Sequence, residues 1–95
     1  MKQFEEIRRK AVELFREEKY LIADHTLERM IEREIFYEDI ESVLCRGSFY
    51  KQEIDKWGDV RYSMRGADID NKSIRITFIV KEKVIIVTVI REQER

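Results

Sequence analysis

The stretch ADHTLERMIERE, Ala23 to Glu34, holds the single histidine of the chain, with Arg29 four residues after His25 and Arg33 four after that. On a helix these three side chains fall within an arc of about 80°, while Leu27, Met30 and Ile31 fall on the other side. Like charges at that spacing cost roughly 0.2–0.5 kcal/mol in an isolated helix. Compensation comes either from carboxylates of the same chain, with Glu32, Glu38, Asp39 and Glu41 nearby in sequence, or from an anionic ligand. Imidazole titrates near neutral pH, so His25 is a candidate for moving a proton. Its alternative use is structural, capping the helix start or bonding a backbone carbonyl.

A second basic set lies downstream. Val60, Tyr62 and Met64 alternate with Arg61, Ser63 and Arg65, and Ile74, Ile76, Phe78 and Val80 alternate with Ser73, Arg75, Thr77 and Ile79. With a period of two, one face of these strands is apolar and the other collects Arg61, Arg65 and Arg75 among hydroxyls. A solvated strand face carries such residues too. Three arginines without an acid at those positions favour an anion site, because the guanidinium fork matches a phosphate.

Other chemistries lack their residues. One histidine and Cys45, twenty positions apart, do not make a zinc set, and one cysteine cannot form an internal disulfide; Cys45 is expected to be a buried, inert thiol. Glycine-rich phosphate loops are missing. No cofactor is implied. No apolar run approaches the roughly 18 residues of a membrane span, so the expectation is a cytoplasmic chain with no membrane partner. Net charge is −1, which argues against an obligate nucleic-acid binder. Charged residues make up 41% of the chain, proline is absent and asparagine occurs once, a mix like that of thermophile proteins, in which surface charges form networks.

The elements that must position these residues follow from periodicity. Ninety-five residues make a single domain, 1–95. Phe4, Ile7, Ala11, Leu14 and Phe15 predict an amphipathic helix over 2–18. KYLIAD reads as a short extended segment, with Asp24 as cap of a helix over 24–34. A third helix spans 37–46, stopped by Gly47 in a left-handed conformation. The period then changes to two, predicting strands at 49–54, 60–65, 73–80 and 84–91. KVIIVTVI, apolar almost throughout, reads as a central strand covered on both faces. Trp57, in the polar turn DKWGD, either folds back onto the sheet edge, the commoner arrangement, or stands exposed to stack on a base or dock on a partner. The fold class is α+β, with N-terminal helices packed on one face of a four-stranded antiparallel sheet.

HTLERMIEREIFYEDIESVL resembles the opening signature of a widespread prokaryotic domain family of unknown function: a histidine, an Arg-Met pair four residues later, another arginine, an isoleucine, then an acidic helix. That family usually has glycine before the isoleucine, where this chain has Glu34. Its layout is similar to the RelE/ParE-like toxins, often encoded beside a small zinc-finger antitoxin. GSFYKQ, GDVRYSMRG and IRITFIVKEKVIIVTVIRE resemble strands of the motility quorum-sensing regulator, an mRNA-cleaving toxin of that fold. The resemblance covers about residues 20–92. Lys51 matches the lysine of the FYK strand and Arg91 the basic position closing the last strand. The toxin's polar-strand glutamine and later tyrosine have no clear equivalent; Tyr62 and Arg65 lie near the former, Arg75 near the latter.

The resemblance implies a toxin of a type II toxin–antitoxin pair, acting as a metal-independent mRNA endoribonuclease, free or on the ribosome. Such cleavage uses the substrate's 2′-hydroxyl to attack the adjacent phosphorus. The enzyme must take that proton, neutralise the phosphoryl oxygens and protonate the leaving 5′-oxygen. His25 and Tyr62 are the candidates for proton transfer, and Arg65 and Arg75 for charge neutralisation. Arg29, Lys51, Arg61 and Arg91 are the candidates for anchoring RNA. The other reading is a non-catalytic protein- or RNA-binding module of the same fold, with Trp57 and the arginine face as its contact surface.

Overall fold

The computed structural model describes residues 2–92; the outermost positions of the expected 1–95 domain lie outside the described residues. The element order is α1 (Lys2–Arg16), β1 (Tyr20–Ile22), α2 (Asp24–Glu32), α3 (Tyr37–Arg46), β2 (Ser48–Ile54), β3 (Val60–Ala67), β4 (Ser73–Val80) and β5 (Val84–Arg91). The architecture is α+β, three helices and a five-stranded sheet in the order β1-β5-β4-β3-β2. The expected count of four strands is therefore one short. The segment at KYLIAD pairs parallel to β5, Tyr20 against Val84 and Ile22 against Ile86, so the sheet is mixed. β1 pairs with only the first three residues of β5, Val84–Ile86. Beyond it α2 takes over, with Thr26 Oγ1 donating to Val87 O at 2.7 Å.

The core lies between the helices and one sheet face. Ala11 and Phe15 of α1, Met30 of α2, and Ile40, Val43 and Leu44 of α3 meet Met64, Ile74, Ile76, Phe78 and Ile86, all buried. Burial of such side chains, about 1.5–3 kcal/mol each, is the main drive for this packing. β5 is not covered on both faces. Val84, Ile86 and Val89 are buried, whereas Ile85, Thr88 and Ile90 on the other face are half-exposed.

The helix ends differ from their sequence reading. Ala23, not Asp24, stands at the N-cap of α2. Gly47 has φ −74° and ψ 178°, which is extended. Its requirement for glycine is instead one of space: a Cβ there would lie 2.6 Å from Val43 O and 2.8 Å from Arg65 O. The left-handed residues at the helix ends are Glu18 (φ 61°) and Glu34 (φ 54°), with α1 and α2 ending short of 18 and 34. Arginines then satisfy the free carbonyls at helix ends. Arg8 of α1 donates to Leu44 O at 3.0 Å and Gly47 O at 2.7 Å, capping α3. Buried Asp39 accepts from Phe36 N at 2.8 Å and Ile69 N at 3.0 Å, tying the start of α3 to the β3–β4 turn. Cys45 is half-buried rather than buried, with Arg16 Nη2 3.3 Å from its sulfur. No helix of the described residues is long and apolar enough to cross a membrane.

Candidate functional site

All three longer helices pack against one face of the sheet or its edge, leaving the opposite face open. Cross-strand register decides what gathers there. Ser48 opposes Arg65, Arg65 opposes Arg75, and Arg75 opposes Ile90, forming one row. The neighbouring row runs Lys51, Ser63, Thr77, Thr88. Directly opposed residues hold their Cβ atoms about 4.5–5.5 Å apart, so the two guanidiniums share one small patch. Ser63 Oγ and Thr77 Oγ1 are hydrogen-bonded at 3.0 Å beside it.

That patch is not free of acid. Glu92, just past β5, spans both arginines, with Oε1 3.2 Å from Arg65 Nε and Oε2 3.9 Å from Arg75 Nε. Arg65 also lies over the Tyr50 ring, 5.0 Å from its centroid. Arg75 Nε is buried and has no hydrogen-bond partner, since 3.9 Å is too long for one. Two guanidiniums sharing one carboxylate leave about one positive charge, with donors still to be filled. An oxyanion supplying two or more acceptors fits that deficit.

Arg61 is drawn off towards the β2–β3 turn. Asp55 Oδ2 accepts from its Nε at 3.0 Å, while Oδ1 accepts from the backbone of Trp57 and Asp59 at 2.9 and 3.0 Å. Burial pushes the Asp55 carboxyl up, but these hydrogen bonds outweigh it and hold the carboxyl below its ordinary range. Trp57 stands exposed at the turn with Lys56 Nζ 4.7 Å from its ring centroid.

His25 and Arg29 lie elsewhere, at the β5 edge. Both are exposed and line a cleft of about 270 Å³ with Thr26 and the β5 segment Val87–Ile90. Ile90, in this cleft, is the register partner of Arg75, so the cleft opens one strand away from the arginine pair. Neither Arg29 nor Arg33 has an ion-pair partner among the described residues. Two of the carboxylates expected to compensate them are otherwise engaged: Glu41 binds Arg16 at 2.6 Å, and Asp39 binds backbone.

Two other expected residues do not join the patch. Tyr62 points to the helix-covered face, 8% exposed and packed on Phe49 and Phe78 at 6.1 and 5.9 Å between ring centroids. Arg91 works inside the fold. Its Nη1 donates to Asp68 Oδ2 at 2.8 Å, while Nε and Nη2 reach the carbonyls of Arg33 and Glu34 at 3.2 and 3.3 Å. Lys51 is exposed on the open face, 3.5 Å from Glu53. Reading the sequence strand by strand missed Glu92, Tyr50 and Asp68. Each lies outside the alternating run of the strand it serves, and only their type, an acid or ring flanking a basic strand, was a signal.

Residues 22–91 match the family described as a domain of unknown function, DUF4258. The chain belongs to that family. No curated protein and no solved structure matches it. The matched span starts at the last residue of β1 and closes on Arg91, so this DUF4258 domain includes α2, α3 and the antiparallel part of the sheet, with the whole arginine row. Glu34, which stands before Ile35 where the resemblance implies a usual glycine, is left-handed. Left-handed backbone is where glycine is least strained.

Proposed function

We propose that this domain is the toxin of a type II toxin–antitoxin pair, with a RelE/ParE-like layout, acting as a metal-independent mRNA endoribonuclease. The observation that carries this reading is the direct opposition of Arg65 and Arg75 on the helix-free sheet face, one strand from the His25–Arg29 cleft. RNA laid across that face would exchange Glu92 for a phosphate on the two guanidiniums. The 2′-hydroxyl attacks phosphorus, the 5′-oxygen leaves, and the products are a 2′,3′-cyclic phosphate and a 5′-hydroxyl. His25 is the proton carrier of this scheme and Arg29 an anchor for a flanking phosphate. Lys51, in the neighbouring row opposite Ser63, is a second anchor on the same face. Tyr62 and Arg91, both engaged in the fold, drop out of the roles first assigned to them, and Arg61 holds the β2–β3 turn.

Induced expression in a bacterium is expected to arrest growth, and purified protein to cleave RNA in EDTA with cyclic-phosphate ends. His25→Ala, or Arg65→Ala with Arg75→Ala, should relieve the arrest. Normal growth together with intact RNA refutes the reading. The pairing of both arginines with Glu92 favours a second one, a non-catalytic module for RNA or protein. That reading expects RNA retention that depends on Arg75 without any cleavage.

A further inference from the structure

The helical side of the molecule carries an apolar groove that the open sheet face does not use. It runs between the end of α2 and the start of α3 and has a volume of about 400 Å³. Leu27 and Ile31 form one wall, Phe36 and Tyr37 the other, and Glu34 and Glu38 stand along it. Ile31 is 72% exposed and Phe36 55%. Contiguous exposure of large apolar side chains, rimmed by polar groups, marks an interaction surface rather than scattered surface residues. On α2 these residues lie on the side away from His25 and Arg29, so a ligand in the groove leaves the cleft at the β5 edge uncovered.

Charge decides the occupant. No lysine or arginine lines the groove, and neither Glu34 nor Glu38 has an ion-pair partner among the described residues. A second copy seated groove to groove would bring four such carboxylates together, which is repulsive. We propose that this groove receives an amphipathic helix of a partner protein, with bulky apolar side chains spaced three and four residues apart and lysine or arginine flanking them. The apolar stripe would fill the space between Ile31 and Phe36, and the flanking cations would meet Glu34 and Glu38. This stands apart from the RNA reading, since neither needs the other's residues.

The test selects a displayed library of helical peptides of about 18 residues, with randomised apolar and flanking positions, on the immobilised full chain. Enriched peptides are expected to carry the three-and-four apolar spacing with basic flanks. Ile31→Ser with Phe36→Ser, both exposed and so compatible with folding by circular dichroism, should weaken them at least tenfold. Glu34→Lys with Glu38→Lys should do the same to basic peptides while admitting acid-flanked ones. No enrichment, enrichment without charge preference, or binding indifferent to the Ile31 and Phe36 substitutions overturns the proposal. A chain that sediments as a dimer and becomes monomeric on the Ile31 and Phe36 substitutions also overturns it, by naming a second copy as the occupant. Growth and RNA cleavage are not read in this experiment, so its failure leaves the RNA reading to its own test.

Discussion

Replacing Asp68 by Asn isolates the pair that joins the last strand to the end of α2. Asp68 is 6% exposed, and its Oδ1 accepts from Asp70 N at 2.9 Å and Lys72 N at 2.8 Å, which shapes the β3–β4 turn. Its Oδ2 takes the 2.8 Å bond from Arg91, which at the same time caps the carbonyls ending α2. Asparagine keeps the size and one acceptor oxygen, so the turn bonds survive. What is lost is the charge-assisted bond, about 1.5–3 kcal/mol. The remaining guanidinium faces an amide without a counter-charge. Removing one partner of a fully buried pair costs about 3–5 kcal/mol, but the Arg91 side chain is 23% exposed and can rehydrate in part. We therefore expect a loss of about 2–3 kcal/mol near neutral pH, or a Tm lower by about 10–20 °C at 4–8 °C per kcal/mol for a domain of this size. Acid supplies the second half of the test. Burial raises the Asp68 carboxyl, but the bonds from Arg91, Lys72 and Asp70 outweigh it and hold the carboxyl below its ordinary value. A depressed folded pKa contributes stability that is present above the unfolded value, about 3.9, and is lost as pH falls through the folded one. Urea titrations from pH 7 down to pH 3 should thus show the wild-type advantage shrink below about pH 4. A loss under about 0.5 kcal/mol at pH 7, or a gap that persists undiminished in acid, refutes the account.

Gly47→Ala forces a Cβ to within 2.6–2.9 Å of the Val43 and Arg65 backbone oxygens and a Val43 methyl; a destabilisation of about 1–3 kcal/mol is expected in denaturant titration. Glu34→Gly relieves a left-handed conformation at φ 54°, whose cost of about 1–2 kcal/mol is partly offset by the greater freedom of glycine in the unfolded chain. The net should be a Tm raised by a few degrees. Phosphate should raise the wild-type Tm more than an equal ionic strength of chloride does, and Arg75→Gln should abolish most of that difference, because Arg75 Nε is the donor left without a partner. Equal responses of the two proteins to phosphate make the arginine face ordinary solvated surface.

Local patterns in the chain are enough to determine much of the architecture. The third helix runs from Tyr37 to Arg46 and strands four and five from Ser73 to Val80 and Val84 to Arg91, as their periodicities require, because a period of 3.6 or 2 is a property of consecutive residues. The same alternation puts Arg65 and Arg75 on one face and Tyr62 on the other. Tertiary structure alone decides the rest. Tyr20–Ile22 becomes a strand because β5 offers it an edge some sixty residues away in the chain. Glu92 reaches the arginines because register carries the end of β5 beside the start of β4, whose other neighbour is β3, and Asp68 claims Arg91 because folding brings the two side chains together. Arg29 and Arg33, whose nearby acids suggested pairing, have no ion-pair partner among the described residues, while α3 turns Glu41 towards α1 and Asp39 towards the β3–β4 turn. Which element forms is a short-range question of pattern and propensity. Which charge meets which is set by where distant segments cross, and a one-dimensional pattern carries no distance between them.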